Sequence, residues 1–471
     1  MINLVLLKIE LLVCALMGLI FIVDLCTDKK DISRFIAMAG SFGILMFSFF
    51  FKDTGTTFFG AYISDSLSIF FKILFLLNVF LVIILSLDFL KKNPQYTGEY
   101  FILLLSATLG MLLMVSSQEL VTFYISLELL SISSYILSAY QKPNPRSTEA
   151  GIKYLLLGAM ASGILLFGMS LIYGATGAVR FTEIAIALTA NSPSVILFIG
   201  LVLVLVALSF KIGVVPFHMW IPDVYEGAPT PVVAFFSVGT KIAGFAVLIR
   251  LFLIAFGSLK HEWGILMVVL SAVTIIMGNL LAIPQTNIKR FMGYSSIAQA
   301  GYILMGLAMA SFNGLCASLF YLLAYLFSNL CAFAVIIIFS RKTKSDNIED
   351  YRGLWRRSPV LAFTLLIALM SLGGVPPLVG FLGKLYLFFA AVESGFTWLV
   401  VIGVLMSVVS IYYYLKVLKM VYIETSEDAS PITLFFWEKL ALSICVTGTV
   451  IFGFSPYPVF NHILSIVHSF L

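Results

Sequence analysis

A chain of 471 residues that is 61% hydrophobic and 11% charged, with a mean hydropathy of +1.08, is not a water-soluble globular protein, in which about a quarter of the residues carry charge. Its net charge of +5 is spread over short segments between apolar runs instead of forming a basic patch, so nucleic acid is not an expected partner. The five cysteines (Cys14, Cys26, Cys316, Cys331, Cys445) are scattered, with no C-x-x-C and no Cys/His cluster. Iron–sulfur and structural zinc sites need several thiolates together, so neither is expected, and the cysteines read as small buried apolar residues.

Uncharged windows recur at 101–118, 154–179, 184–210, 263–288, 291–340, 358–383, 394–415 and 440–461. A helix crosses the hydrocarbon in roughly 20 residues, so 291–340 holds two spans, divided near Ser311-Phe312-Asn313-Gly314. The pattern predicts an all-α polytopic membrane protein of fourteen spans, near 3–23, 33–51, 67–90, 98–116, 119–140, 151–174, 194–216, 229–255, 263–283, 291–310, 313–340, 359–388, 396–420 and 433–454. The first run begins almost at Met1 with no A-x-A-like site after it and reads as a retained helix. The phosphate-binding pattern G-x-x-x-x-G-K-[ST] is absent, which argues against an ATP-driven pump. Loops after odd-numbered spans carry most of the lysines and arginines, among them Lys29, Lys30, Arg34, Lys142, Arg146, Lys289, Arg290, Arg341, Lys342 and Arg357. Those loops are expected to face the cytoplasm and both termini the opposite side of the cell (inner) membrane.

Proline interrupts the seventh span at Pro216 in KIGVVPFHMW and the twelfth at Pro376-Pro377 in SLGGVPPLVGFLGK. Interrupted helices at matching places in two halves point to inverted repeats around a midplane site. The expected organisation is an N-terminal three-helix segment (1–97), a first five-helix repeat of helices 4–8 (98–256), a second, inverted repeat of helices 9–13 (257–422), and a last helix with its tail (423–471).

Ionisable groups stand inside these spans. A lysine at membrane depth costs about 3 kcal/mol on insertion scales, so a chain that keeps several uses them. Lys211 ends a long uncharged run, Lys241 lies well into another, and Lys384 follows the Pro-Pro break. Glu128 sits mid-span in LVTFYISLELLSISSYIL. Burial and a nearby carboxylate push a lysine's proton affinity in opposite directions, so a string of such lysines is a switchable proton relay. Glu149 and Lys153 share one helix face near a cytoplasmic end, the acid in the favourable N-terminal position. They read either as part of that relay or as an interfacial pair. His218, two residues past Pro216, suits a proton shuttle or a cap on the broken helix. Asp223 and Glu226 form a polar linker at a cavity or a simple turn, and Lys8 and Glu10 read as interfacial.

The stretches PFHMWIPDVYEGAPTPVVAFFSVGTKIAGFAVLIR, QTNIKRFMGYSSIAQAGYILMGL, RSTEAGIKYLLLGAMASGILLFGMSLIYGATG and SLGGVPPLVGFLGKLYLF resemble the antiporter-like membrane subunits of NADH–quinone oxidoreductase (complex I), and within them subunit N. VYEGAPTP carries most of the specificity. The related Mrp-type cation/proton antiporter subunits share the PFH-W-PD-APTP skeleton but usually not VYEG. The resemblance implies a fourteen-helix fold with two inverted five-helix repeats and broken helices 7 and 12. It implies a proton channel in the membrane arm, with NADH, FMN, iron–sulfur clusters and quinone held by other subunits. It places the family's helix-5 glutamate on Glu128, its helix-7, helix-8 and helix-12 lysines on Lys211, Lys241 and Lys384, and its helix-6 acid and base on Glu149 and Lys153. Where many members have a histidine in SSIAH, this chain has Gln299, which cannot titrate. The implied partners are the lipid bilayer and neighbouring antiporter-like and small membrane-arm subunits. A Mrp-type Na⁺/H⁺ antiporter subunit and a non-pumping scaffold subunit stand as alternatives.

Overall fold

The computed structural model describes residues 3–27, 29–92, 96–190, 194–425 and 430–471. Among them 12 helices are long and apolar enough to cross a membrane. The two other predicted spans are also helical: 288–308 is more polar, and the twelfth is split into two pieces too short to cross alone. The chain divides into two compact units, Met1–Gly213 with Gly227–Trp263 and Phe470, and Val214–Glu226 with Gly264–Ser469 and Leu471.

In the first unit, α1 (Lys8–Cys26) and α2 (Lys30–Phe50) lead to a hairpin of β1 (Gly55–Thr57) and β2 (Tyr62–Ser64), paired antiparallel with Thr56 opposite Ile63. Then come α3 (Ser66–Lys92), α4 (Thr97–Ser116), α5 (Leu120–Ser138), α6 (Pro145–Thr176), the short α7 (Phe181–Ala190) and α8 (Val195–Ile212). The Asn144 side chain accepts from Arg146 N and Pro145 opens α6, which fixes its start. Glycines let helices meet backbone to backbone, as at Gly168 of α6 and Gly200 of α8, where each added Cβ would stand 2.9 Å from the other's carbonyl oxygen. The break in the seventh span begins before the proline: Gly213, at φ 78, ends α8. In the second unit, Val214–Met219 leads into α9 (Trp220–Gly227).

The eighth span returns to the first unit as α10 (Thr230–Phe235) and α11 (Lys241–Arg250), with wide π turns at Phe236–Thr240 and Leu251–Ala255. Such turns open a helix locally and recur at functional sites. The second unit continues with α12 (Lys260–Ala282), α13 (Ile288–Ala308), the buried α14 (Phe312–Thr343), α15 (Leu354–Arg357), α16 (Pro359–Gly373), α17 (Val379–Glu393), α18 (Thr397–Tyr422), α19 (Phe436–Phe454) and α20 (Tyr457–Phe470). Gly374, at φ 84, ends α16 as Gly213 ends α8.

Three expectations are corrected here. Cys316, Cys331 and Cys445 are buried, but Cys14 and Cys26 are exposed on apolar helix faces. Lys8 is half-exposed and pairs with Asp53 at 3.1 Å, whereas Glu10 is buried because the hairpin covers that helix end with Tyr62. Asp223 and Glu226 are not a loop: both lie on α9, and Arg290 Nη1 of α13 holds them at 2.8 and 3.0 Å.

Candidate functional site

Lys211, Lys241 and Lys384 are 7%, 1% and 3% exposed, which rules out snorkelling for all of them. Their partners follow from the helices that carry them. Lys211, in the last turn of α8, donates from Nζ to Ser131 Oγ at 2.6 Å and to Tyr135 Oη at 3.3 Å. Ser131 and Tyr135 follow Glu128 by three and seven residues, so all three share one face of α5. Half-buried Glu128 accepts from Ser162 Oγ of α6 at 2.5 Å. Lys211 is thus hydrogen-bonded to two hydroxyls on the face of α5 that also carries Glu128.

Lys241, the first residue of α11, donates to Ile212 O at 3.1 Å. Lys384 donates to Gly373 O at 3.1 Å, and its Nζ lies 4.6 Å from the Tyr302 ring centroid. Ile212 and Gly373 are the last residues of α8 and α16, each just before the left-handed glycine that ends its helix. A helix end leaves carbonyls without partners and concentrates about half a negative charge. Each broken helix thus supplies a buried ammonium with an acceptor and a counter-field. Gly244, one turn beyond Lys241, has no room for a Cβ against Ile212, which brings α11 close enough for this contact.

Gln299 serves the same broken end as Lys384. Its Nε2 donates to Leu372 O at 3.0 Å, and Tyr321 Oη donates to its Oε1. Glu149 and Lys153 pair at 2.8 Å with side chains 63% and 42% exposed. The next residue, Tyr154, packs edge-on to Tyr135 with centroids 4.8 Å apart. A half-open groove of about 620 Å³, lined mainly by the exposed apolar side chains of Ile132, Ile136, Ile152 and Leu155, lies beside Tyr135, the hydroxyl partner of Lys211, and also touches Glu99 and Lys142. His218 is buried in the turn before α9, where its carbonyl accepts from Ile221 N at 3.0 Å. It belongs to the second unit and Lys211 to the first.

A family profile described as NADH:quinone oxidoreductase/Mrp antiporter, TM, matches residues 117–410. The chain belongs to this antiporter-like membrane-subunit family. Within the family, NADH-quinone oxidoreductase subunit N of Moorella thermoacetica is 43% identical over 469 residues, covering 99% of this chain and 98% of that one. A chain of the respiratory complex I from Thermus thermophilus with bound aureothin superposes with a TM-score of 0.80 at 30% identity, over 96% of this chain and 99% of that one. A chain of the Mrp complex from Dietzia sp. shares the fold, with a TM-score of 0.82 at 20% identity over 98% and 96% of the two chains. The family is one of multi-pass membrane subunits working inside larger assemblies.

Sequence reasoning missed four residues. Ser131 and Tyr135 were legible as polar residues at helical spacing from Glu128. Lys72, a lone lysine inside the third apolar run, carries the same signal as Lys211; it is 0% exposed and 2.8 Å from Glu10. Arg250, at the end of α11 and 1% exposed, donates to both carboxylate oxygens of Asp65 at 2.8 and 3.0 Å. Its bearing lay in the partner, which no local pattern names.

Proposed function

We propose that this chain is a proton-translocating membrane-arm subunit of an NADH:quinone oxidoreductase. It takes part in the translocase reaction without a redox centre of its own; NADH, FMN, iron–sulfur clusters and quinone are held by other subunits. It sits in the cell membrane beside neighbouring antiporter-like and small membrane-arm subunits, with both termini on the outer side. The observation that carries this reading is the matched placement of Lys241 and Lys384, each buried in a span and bonded to the last carbonyl of a broken helix at 3.1 Å. That match also favours two repeats, 98–256 and 257–422.

In this reading a proton enters from the cytoplasmic end, where Glu149 and Lys153 stand, and reaches Lys211, with Glu128 as the nearby countercharge. Lys241 is the central station, Lys384 the station beyond it, and His218 holds or shuttles a proton at the first break. Each hop leaves a neutral amine bonded to a hydroxyl or carbonyl and an ammonium at the next position. Moving one charge against 100 mV takes about 2.3 kcal/mol, so the free energy of holding a proton at the lysines must change by a comparable amount during turnover.

The test is NADH-driven quinone reduction and proton uptake, measured together in inverted membrane vesicles carrying Lys241→Ala in the assembled complex. Both should fall by about 100-fold, the usual scale for losing a positioned proton-transfer group. Wild-type rates and ratio at normal assembly would overturn the relay. Proton movement driven by a sodium gradient, with no response to NADH, would place the chain with the antiporters.

A further inference from the structure

The third helix carries a second set of buried charges, outside residues 117–410 that the family profile covers. Lys72 Nζ lies 2.8 Å from Glu10 Oε1 and 2.7 Å from Tyr62 Oη, and Tyr62 Oη donates to the same Glu10 oxygen at 2.9 Å. Glu10 and Lys72 are 2% and 0% exposed. A buried ion pair of this kind is weak evidence for stability, because an apolar pair of similar volume usually serves as well or better.

Its position is informative. Two contacts fix how α3 runs beside the eighth span. Asn78 Nδ2 meets Phe235 O at 3.4 Å and faces Gly239, in the π turn just before Lys241. At the other end of the same helix pair, Asp65 meets Arg250. Lys72 therefore lies between the level of Lys241 and the membrane face where α1 begins and the hairpin sits, six residues or about 9 Å from Asn78 along the helix.

Buried polar atoms without protein partners line this course. Asn78 Oδ1, Glu10 Oε2, and Arg250 Nε and Nη1 are all buried, with no hydrogen bond to any described residue, and Ser116 adds a hydroxyl beside Tyr62. Ser116 adjoins Ser117, which pairs with Tyr62 across an isolated bridge. Buried polar atoms that lack protein partners are met by ordered water. Orphans on α1, α3 and α11 give water places to stand along this course.

We infer that Glu10, Tyr62 and Lys72 form a proton-release site through which protons from the level of Lys241 leave on the side of the chain's N-terminus. The inference rests on the proton-translocating reading and adds an exit within the first unit. A proton arriving by way of water at these polar atoms adds to the free Oε2 of Glu10, leaving Lys72 a lone buried cation. Loss of a proton to water on the N-terminal side restores the ion pair, so one proton enters, one leaves, and no other reactant is needed. Tyr62 lends a hydroxyl to both partners. The other charged or titratable groups facing the site are Asp65 with Arg250 from α3 and α11, Lys8 with Asp53 at the hairpin base, and Cys14 one turn along α1.

The experiment uses the Glu10→Leu/Lys72→Leu double variant in the assembled complex, beside Lys241→Ala, with NADH oxidation and proton uptake recorded in inverted vesicles. The apolar pair needs no buried countercharge, so assembly is expected. Proton uptake should fall by about tenfold or more, as for loss of a proton-transfer group. Uptake within twofold of wild type in the double variant, with Lys241→Ala inactive, overturns the release site and leaves the relay standing. Activity in both defeats the relay itself. If the double variant does not assemble, Tyr62→Phe decides: the missing hydroxyl should slow uptake by about threefold, the scale of one hydrogen bond, and an unchanged rate refutes the proposal.

Discussion

Gly110→Ala should disable the Lys211 site without touching an ionisable group. Gly110 lies where α4 meets the backbone of α5. A Cβ there would stand 2.6 Å from Leu130 N and 2.8 Å from Ser126 O, while ordinary contact begins at 3.4 Å. Both obstacles are main chain, so no rotamer change relieves them, and α5 has to retreat by about 0.8 Å, an overpacking worth about 1–3 kcal/mol. The same helix carries Glu128, Ser131 and Tyr135. Lys211 is on α8 and does not follow, so its 3.3 Å bond to Tyr135 passes beyond hydrogen-bond range and its 2.6 Å bond to Ser131 stretches to the limit. A displacement approaching 1 Å in a positioned site costs up to about 100-fold in rate; a loss of about 10-fold or more in NADH-driven proton uptake is expected. Gly163→Ala on α6, where an added Cβ meets nothing within 4 Å, is the control. Normal assembly together with wild-type proton uptake in Gly110→Ala would refute the claim that the spacing of α4 and α5 sets the geometry at Lys211.

Arg290→Met should loosen α9, because it leaves Asp223 and Glu226 without the cation they share; after allowance for partial exposure the loss is about 1 kcal/mol, read as roughly fivefold faster amide exchange at Trp220–Gly227. Both carboxylates meet the same Nη1, so Arg290→Lys should recover most of the protection, and unchanged exchange in Arg290→Met would sink the idea. Asp65→Asn should lower the thermal midpoint of the complex equally at pH 6 and pH 8. Burial alone would raise the Asp65 carboxyl, but the Arg250 guanidinium and hydrogen bonds from Arg250 and Ser68 outweigh it and hold it below the usual carboxylate range. A depressed carboxyl contributes its stability at every pH above its unfolded value near 4 and loses it only as pH falls through the lower folded value. A wild-type-to-variant difference that changed between pH 6 and 8 would contradict that assignment.

Much of the site was readable before folding was considered. Spans follow from local apolar runs, since a lone apolar segment of about 20 residues satisfies its backbone bonds in lipid by forming a helix. Lys211, Lys241 and Lys384 announced themselves as charges in segments that lipid should keep neutral. The two breaks were visible from Pro216 and Pro376-Pro377, although the helices end earlier, at Gly213 and Gly374, because the left-handed turn that closes each one favours glycine. Lys72 obeyed the same rule as the other lysines and was passed over; the signal was present.

Partnership was not readable. That Lys241 and Lys384 bond helix-end carbonyls, that Ser131 and Tyr135 bond Lys211, that Glu10 is buried by a hairpin tyrosine 52 residues away, and that Arg250 reaches Asp65 across 185 residues all depend on the register of packed helices. Hydropathy and helical period act over a few residues and set which segments enter the membrane and which residues share a face. Which faces meet, and at what height, is decided by close packing at positions such as Gly110, Gly168 and Gly244, where an ångström of helix translation changes every polar pairing along the contact.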